Sequence, residues 1–165
     1  MKNLKAFDDL VGSSNIFYKE FSDDDSVDIF KSVNVKRLET ILKHRLDYIF
    51  SHPEEYPEFK KYEYLYDKMS TLLVYLISND SRNKYEIMCE FVDAKYDSDD
   101  IDYFIRFFIN IDTLEYKVDI EISYHNYAVS DVIRVKNGVL PGNKIHDMLL
   151  MLFGYCDDAY KKFNK

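Results

Sequence analysis

Tryptophan is absent from this chain, and among its 165 residues there are only four glycines and three prolines. Loops that cradle phosphate need several glycines so that backbone amides can close on the ligand. Gly12, Gly138, Gly142 and Gly154 do not have that spacing, which argues against nucleotide-loop and dinucleotide-fold enzymes. No Gly-x-Ser-x-Gly elbow occurs either, so an α/β-hydrolase is unsupported. The same scarcity excludes collagen-like repeats and low-complexity linkers. Disorder is excluded as well, since 47% of the residues are apolar and have surface to bury.

Cysteine is also sparse. Cys89 and Cys156 are too few for a disulfide framework, and both fall in apolar patterns. They read as buried free thiols in a reducing compartment, so a cytoplasmic location is expected. Long apolar runs are missing too: the longest compact one, Leu72-Leu73-Val74-Tyr75-Leu76-Ile77, is far short of the roughly 20 residues that cross a bilayer. The start of the chain is basic but has no apolar core, so no signal peptide is expected. Positive charge is in deficit, with 22 Lys and Arg against 30 Asp and Glu and a net charge of −8. That balance disfavours a nucleic-acid backbone and favours a basic protein partner.

The chain is rich in aromatic residues, with 15 tyrosines and 12 phenylalanines. Residues 1–32 form a poorly defined N-terminal segment, where an aromatic patch (Ile16, Phe17, Tyr18, Phe21) precedes the acidic run Asp23-Asp24-Asp25. A helix follows. Asn34 can cap it, and Leu38, Ile41, Leu42, Leu46, Ile49 and Phe50 share one face. His52-Pro53 ends it, and Pro57 suits the first turn of a second helix. The apolar positions of that helix run from Phe59 through Tyr62, Leu65, Tyr66, Met69, Leu72, Leu73 and Leu76 to Ile77, which predicts a helical hairpin over 33–78.

From Lys84 the period changes to two. Tyr85, Ile87, Cys89 and Phe91 alternate with Glu86, Met88, Glu90 and Val92, although a helix also fits there. Ile101 to Ile111 and Tyr116 to Tyr124 alternate clearly, and a further strand ends at Asn137-Gly138. The last helix, over 142–163, carries the stripe Ile145, Met148, Leu149, Leu152, Cys156, Ala159, Tyr160 and Phe163. The class is α+β within a single domain, 1–165: a helical hairpin packed on an antiparallel β-meander (84–137) of about four strands, closed by a C-terminal helix.

Metal chemistry finds little support. His44, His52, His125 and His146 are scattered and read as surface residues. An EF-hand loop starting at Asp97 would put Ile101, Asp102 and Phe108 at its fifth, sixth and twelfth positions, and one starting at Asp23 would put Val27, Asp28 and Asn34 there. Neither satisfies the ligand rule. No cofactor is expected. Acid-x-Lys triplets, which serve magnesium-dependent nucleases, occur as Asp93-Ala94-Lys95, Glu115-Tyr116-Lys117 and Glu58-Phe59-Lys60. Chance placement of this many acids and lysines already yields about three.

Phe104 and Phe108 stand apart from the core pattern. They share a strand face with Asp102, Arg106 and Asn110, opposite the Ile101–Ile111 stripe. Either a second layer covers that face, or the two rings and Arg106 bind a partner, since aromatic and Arg side chains are enriched at hot spots. The expected function is a small acidic protein-binding module. It would be a stoichiometric inhibitor, immunity protein or antitoxin, viral or bacterial, that occludes a basic surface of a toxin or effector. Asp97, Asp99, Asp100, Phe104, Arg106 and Phe108 would form the binding surface. The alternative is a divalent-metal enzyme using Asp93, Asp112, Glu115 and Lys117. A third reading is a structural or assembly subunit, a homodimer through the sheet edge.

Overall fold

The computed structural model describes residues 25–77, 82–93, 101–124 and 129–163. A short helix α1 (Ile29–Ser32) leads into α2 (Val35–Ser51), a 3-10 helix (Pro57–Tyr62) and α3 (Glu63–Lys68). Five strands follow, β1 (Met69–Leu76), β2 (Lys84–Asp93), β3 (Ile101–Asn110), β4 (Glu115–Tyr124) and β5 (Val129–Val139), and then α4 (Ile145–Phe163). The strands form one antiparallel meander in the order β1-β2-β3-β4-β5. The α+β class holds, with five strands where the sequence predicted about four.

The fifth strand comes from the second arm of the predicted hairpin. Helix α3 stops at Lys68, and Met69 turns to extended geometry (φ −71°, ψ 116°). Seven residues of β1 then find partners on β2, from Met69↔Phe91 to Leu76↔Tyr85. An unbroken apolar run satisfies a helical and a strand period equally, so local sequence cannot choose between them. Pairing with β2 decides it. Leu72 and Val74 are buried while Tyr75, between Val74 and Leu76, is 45% exposed, which is the two-residue period of a strand.

One face of the sheet is apolar throughout. Leu72 and Val74 of β1, Tyr85, Ile87, Cys89 and Phe91 of β2, Tyr103, Ile105, Phe107 and Ile109 of β3, and Tyr116, Val118, Ile120 and Ile122 of β4 are all buried. The helices lie on this face. Asn34 caps α2 by accepting the Arg37 amide at 2.8 Å, and Leu38, Ile41, Leu42, Leu46 and Ile49 make its buried stripe. Glu39, on the same helix, accepts the amide of Val74 at 3.0 Å. That amide belongs to an edge strand, and the carboxylate occupies a donor that another chain could otherwise pair with. Between the layers the rings of Phe50, Phe59, Phe91 and Phe153 pack with centroids 5.4–6.5 Å apart. Phe50 also stacks on Tyr66 at 4.4 Å.

Residues 25–27 are tied to the start of α4: Asp25 O accepts from the Ile145 amide and Asn143 O from that of Val27, both at 2.8 Å. Phe30 of α1 meets Tyr85 edge to face, and the Tyr85 hydroxyl donates to the Phe30 carbonyl at 2.8 Å. Cys89 and Cys156 are buried free thiols, and burial pushes Cys89 up to about 12. His125 lies outside the described residues, and the other three histidines are half-buried where a surface position was expected. His146 sits between Tyr56 and Phe59, and its Nε2 lies 2.8 Å from the Glu58 carboxylate.

Asn137-Gly138, expected to end the last strand, lies inside β5, which runs on to Val139. Gly138 faces Tyr116 across the ladder, and an added Cβ would sit 2.7 Å from the Tyr116 hydroxyl and 2.8 Å from Cζ. The glycine leaves room for a ring that stacks on Phe107 (5.5 Å) and whose hydroxyl meets that of Tyr155 at 2.8 Å. Displacing such a ring costs about 1–3 kcal/mol. Gly138→Ala should therefore lower the unfolding free energy measured by urea titration by that amount. Gly142→Ala, where an added Cβ meets nothing within 4 Å, should leave that free energy unchanged to within about 0.5 kcal/mol.

Candidate protein-binding face

In a strand, every residue that enters the core sends its neighbours to the opposite side. The register therefore generates a second face directly. One row across it reads Tyr75, Glu86, Phe108, Lys117 and Asn137; the next reads Leu73, Met88, Arg106 and Asp119; the third reads Thr71, Glu90, Phe104 and Glu121. Among the described residues no helix packs on this face. Phe104, Arg106 and Phe108 lie together on it, as the sequence predicts. Asp97, Asp99 and Asp100 lie outside the described residues.

Arg106 stands at the centre, 3.1 Å from the Glu86 carboxylate and 3.5 Å from that of Glu121. It bridges β2, β3 and β4 through one guanidinium, whose planar fork suits two acceptors at once. Lys117 reaches Asp119 at 3.2 Å and also stands over the Phe108 ring, 5.1 Å from its centroid. Ser70 donates to Glu90 at 2.7 Å. Phe104 sits between Glu90 and Glu121 on the flanking strands. In these three rows the described side chains of β1–β4 carry four carboxylates against two cations, and Arg134 of β5 stands opposite Asp119 in register.

Exposure is uneven along it. Asp102, toward one end, is buried, whereas Tyr75, Ile77 and Val139 at the other end are 45%, 51% and 61% exposed. A cleft of about 690 Å³ opens at that same end, lined by Ile77, Lys84, Phe108, Glu115, Lys117 and Val139 among others. Leu73 and Tyr75 could not be assigned to this face from a helical reading of β1. The signal was present in the parity that they share with Met88 and Phe108 once β1 is a strand. Ile77 and Val139 gave no signal, because their exposure depends on where the strands stop.

No family model, curated protein or solved structure matches this chain. The function therefore rests on the chemistry of the site.

The four residues of the metal-enzyme alternative are not brought together. Asp93 pairs with Ile101, whereas Lys84 at the other end of β2 pairs with Asn110, next to the β3–β4 turn that holds Asp112. Nine residues of strand separate the two ends, about 30 Å. Glu115 and Lys117 share the cleft. Asp112 instead pairs with Lys31 and accepts from Asn83 at 3.3 Å. Among the described residues no group of three His, Cys, Asp or Glu side chains is placed to hold a metal ion.

Asp112 has a structural task in that turn. Asn110 Oδ1 accepts the amides of Asp112 (2.9 Å) and Thr113 (3.1 Å), and Leu114 closes the turn in left-handed geometry at φ 64°. The hydrogen bond from Lys31 holds the Asp112 carboxyl below its ordinary value of 3.8. A lowered carboxyl stabilises the fold above its unfolded value, and that contribution is lost as the pH falls through the folded value. Asp112→Asn should thus lower the urea midpoint at about pH 7, and the gap to the wild type should close at about pH 2. An equal gap at both values would show that the charge of Asp112 contributes nothing.

Proposed function

We propose that this protein is a stoichiometric protein-binding module that occludes a basic surface of another protein with the open face of its sheet. An immunity protein acts on a toxin in this way, and a viral inhibitor acts so on a host factor. The observation that carries the reading is the face itself: Tyr75, Leu73, Met88, Phe104 and Phe108 interleave with Glu86, Glu90, Asp119 and Glu121 across four paired strands. A hot spot needs apolar anchors to fill pockets and polar groups held in place so that little is lost on ordering. Arg106 and its two carboxylates supply the second requirement. The net charge of −8 adds long-range attraction for a basic partner, which speeds encounter more than it tightens the final complex.

The test is capture from extracts of the protein's own cell at about 0.1 M and about 0.5 M salt, where screening weakens an electrostatic encounter. The wild type should retain one basic protein at a 1:1 ratio, less of it at the higher salt. Phe104→Ala with Phe108→Ala should weaken the complex about thirtyfold, the equivalent of about 2 kcal/mol at a hot spot. Glu121→Lys should slow association, and Lys43→Ala on the exposed side of α2 should change nothing. A partner held equally well by the double alanine variant would remove this face from the binding surface.

A further inference from the structure

The helical layer carries a second surface that the sheet face does not use. Along α4, Asp147, Leu150, Met151, Gly154, Tyr155 and Asp158 recur at steps of three and four, which places them on one stripe of the helix. A different stripe of the same helix, including Met148, Leu149, Leu152, Phe153 and Cys156, is buried against the core. The apolar arc of α4 is therefore wider than one core contact needs, and its outer part lines a groove of about 510 Å³ walled by Tyr62 and Pro141.

The shape and charge of this groove are specific. Leu150, Met151 and Tyr155 are half-buried along its floor. Gly154 leaves a dent among them, since an added Cβ would meet only the Tyr62 hydroxyl, at 3.5 Å. Tyr155 is held in place by its hydroxyl contact with Tyr116 at 2.8 Å. Among the described residues the charged ones in the lining are Asp147 and Asp158, both exposed, and none is basic. Of the lysines beside it, Lys61 stands over the Tyr62 ring at 5.2 Å and Lys161 pairs with Asp157 at 2.9 Å. Eleven residues of helix separate the two acids, about 16 Å.

We propose that this groove docks an amphipathic helix from another protein. Its apolar side chains would seat on Leu150, Met151 and Tyr155, with one knob in the Gly154 dent. Two Lys or Arg residues about three turns apart on the docked helix pair with Asp147 and Asp158. Helix is preferred over strand because the floor is itself a helix, and ridges of a second helix fit its grooves where a small residue permits close approach. The surface is separate from the sheet face, so the protein can hold two partners, or two parts of one partner, at the same time.

The experiment titrates the full-length, isotope-labelled protein with two synthetic helical peptides of identical apolar residues. One carries lysines eleven positions apart, the other glutamates at those positions. The lysine peptide should shift the amide resonances of residues 147–158 and of Tyr62 and leave those of Phe104–Phe108 unmoved. The glutamate peptide should bind at least tenfold more weakly. Asp147→Asn with Asp158→Asn should weaken the lysine peptide about fivefold, the sum of two exposed ion pairs. Gly154→Leu should abolish binding by filling the dent, and the paired Asn variant decides the matter if that protein does not fold. Equal affinity for the two peptides, no shift with the lysine peptide, or shifts confined to the sheet face would overturn the proposal. Shifts on the sheet face alone would leave the proposed function standing.

Discussion

Burial of one face of a five-stranded sheet under helices governs the rest of this structure. Strand geometry ties each inward side chain to outward neighbours, so the packing of Ile87, Cys89, Ile105, Phe107, Val118 and Ile120 into the core places Met88, Arg106 and Asp119 in one row on the other side. A one-residue slip would exchange the two sets completely. The apolar transfer that stabilises the fold thus also sets the register of the charged face.

Tyrosine does much of the work at the borders of that core, which accounts for the aromatic-rich composition. A tyrosine ring buries apolar area while its hydroxyl reaches a partner at the rim. Tyr85 meets the Phe30 carbonyl, Tyr116 meets Tyr155, and Tyr64 donates to the buried carboxylate of Asp157, which also holds Lys161. Each contact joins elements distant in sequence, and each uses a polar group that phenylalanine would lack. Asp157 is buried only because it is paired in this way. The Tyr116–Gly138 pair follows the same logic inside the sheet, with a glycine placed where a ring must cross the neighbouring strand.

The sheet face and the α4 groove differ in kind. On the sheet face the charges are mostly engaged with one another, Arg106 with Glu86 and Glu121 and Lys117 with Asp119. Such a network sets the aromatic rings among paired charges. On α4, Asp147 and Asp158 stand at the ends of an apolar floor.

Much of the fold was legible in the sequence. Asn34, the Leu38–Phe50 stripe and His52-Pro53 delimit α2, and strict alternation from Ile101 to Tyr124 marks β3, β4 and both of their faces, including Phe104, Arg106 and Phe108. These signals are local, since a cap, a stripe and an alternation each need only neighbouring residues. The segment from Met69 to Leu76 was not legible, because an apolar run fits both periods and only β2, far along the chain, supplies its hydrogen bonds. For the same reason Leu73 and Tyr75 joined the candidate face only in three dimensions. The separation of Asp93 from Asp112, the half-burial of His146 and the crossing of Tyr116 over Gly138 likewise depend on which elements meet. Sequence by itself determined the class, the bounds of α2, β3 and β4 and the parity of each clear strand, because these follow from local periodicity. Only the tertiary structure decided which residues share a surface, because that depends on pairing between residues far apart in the chain.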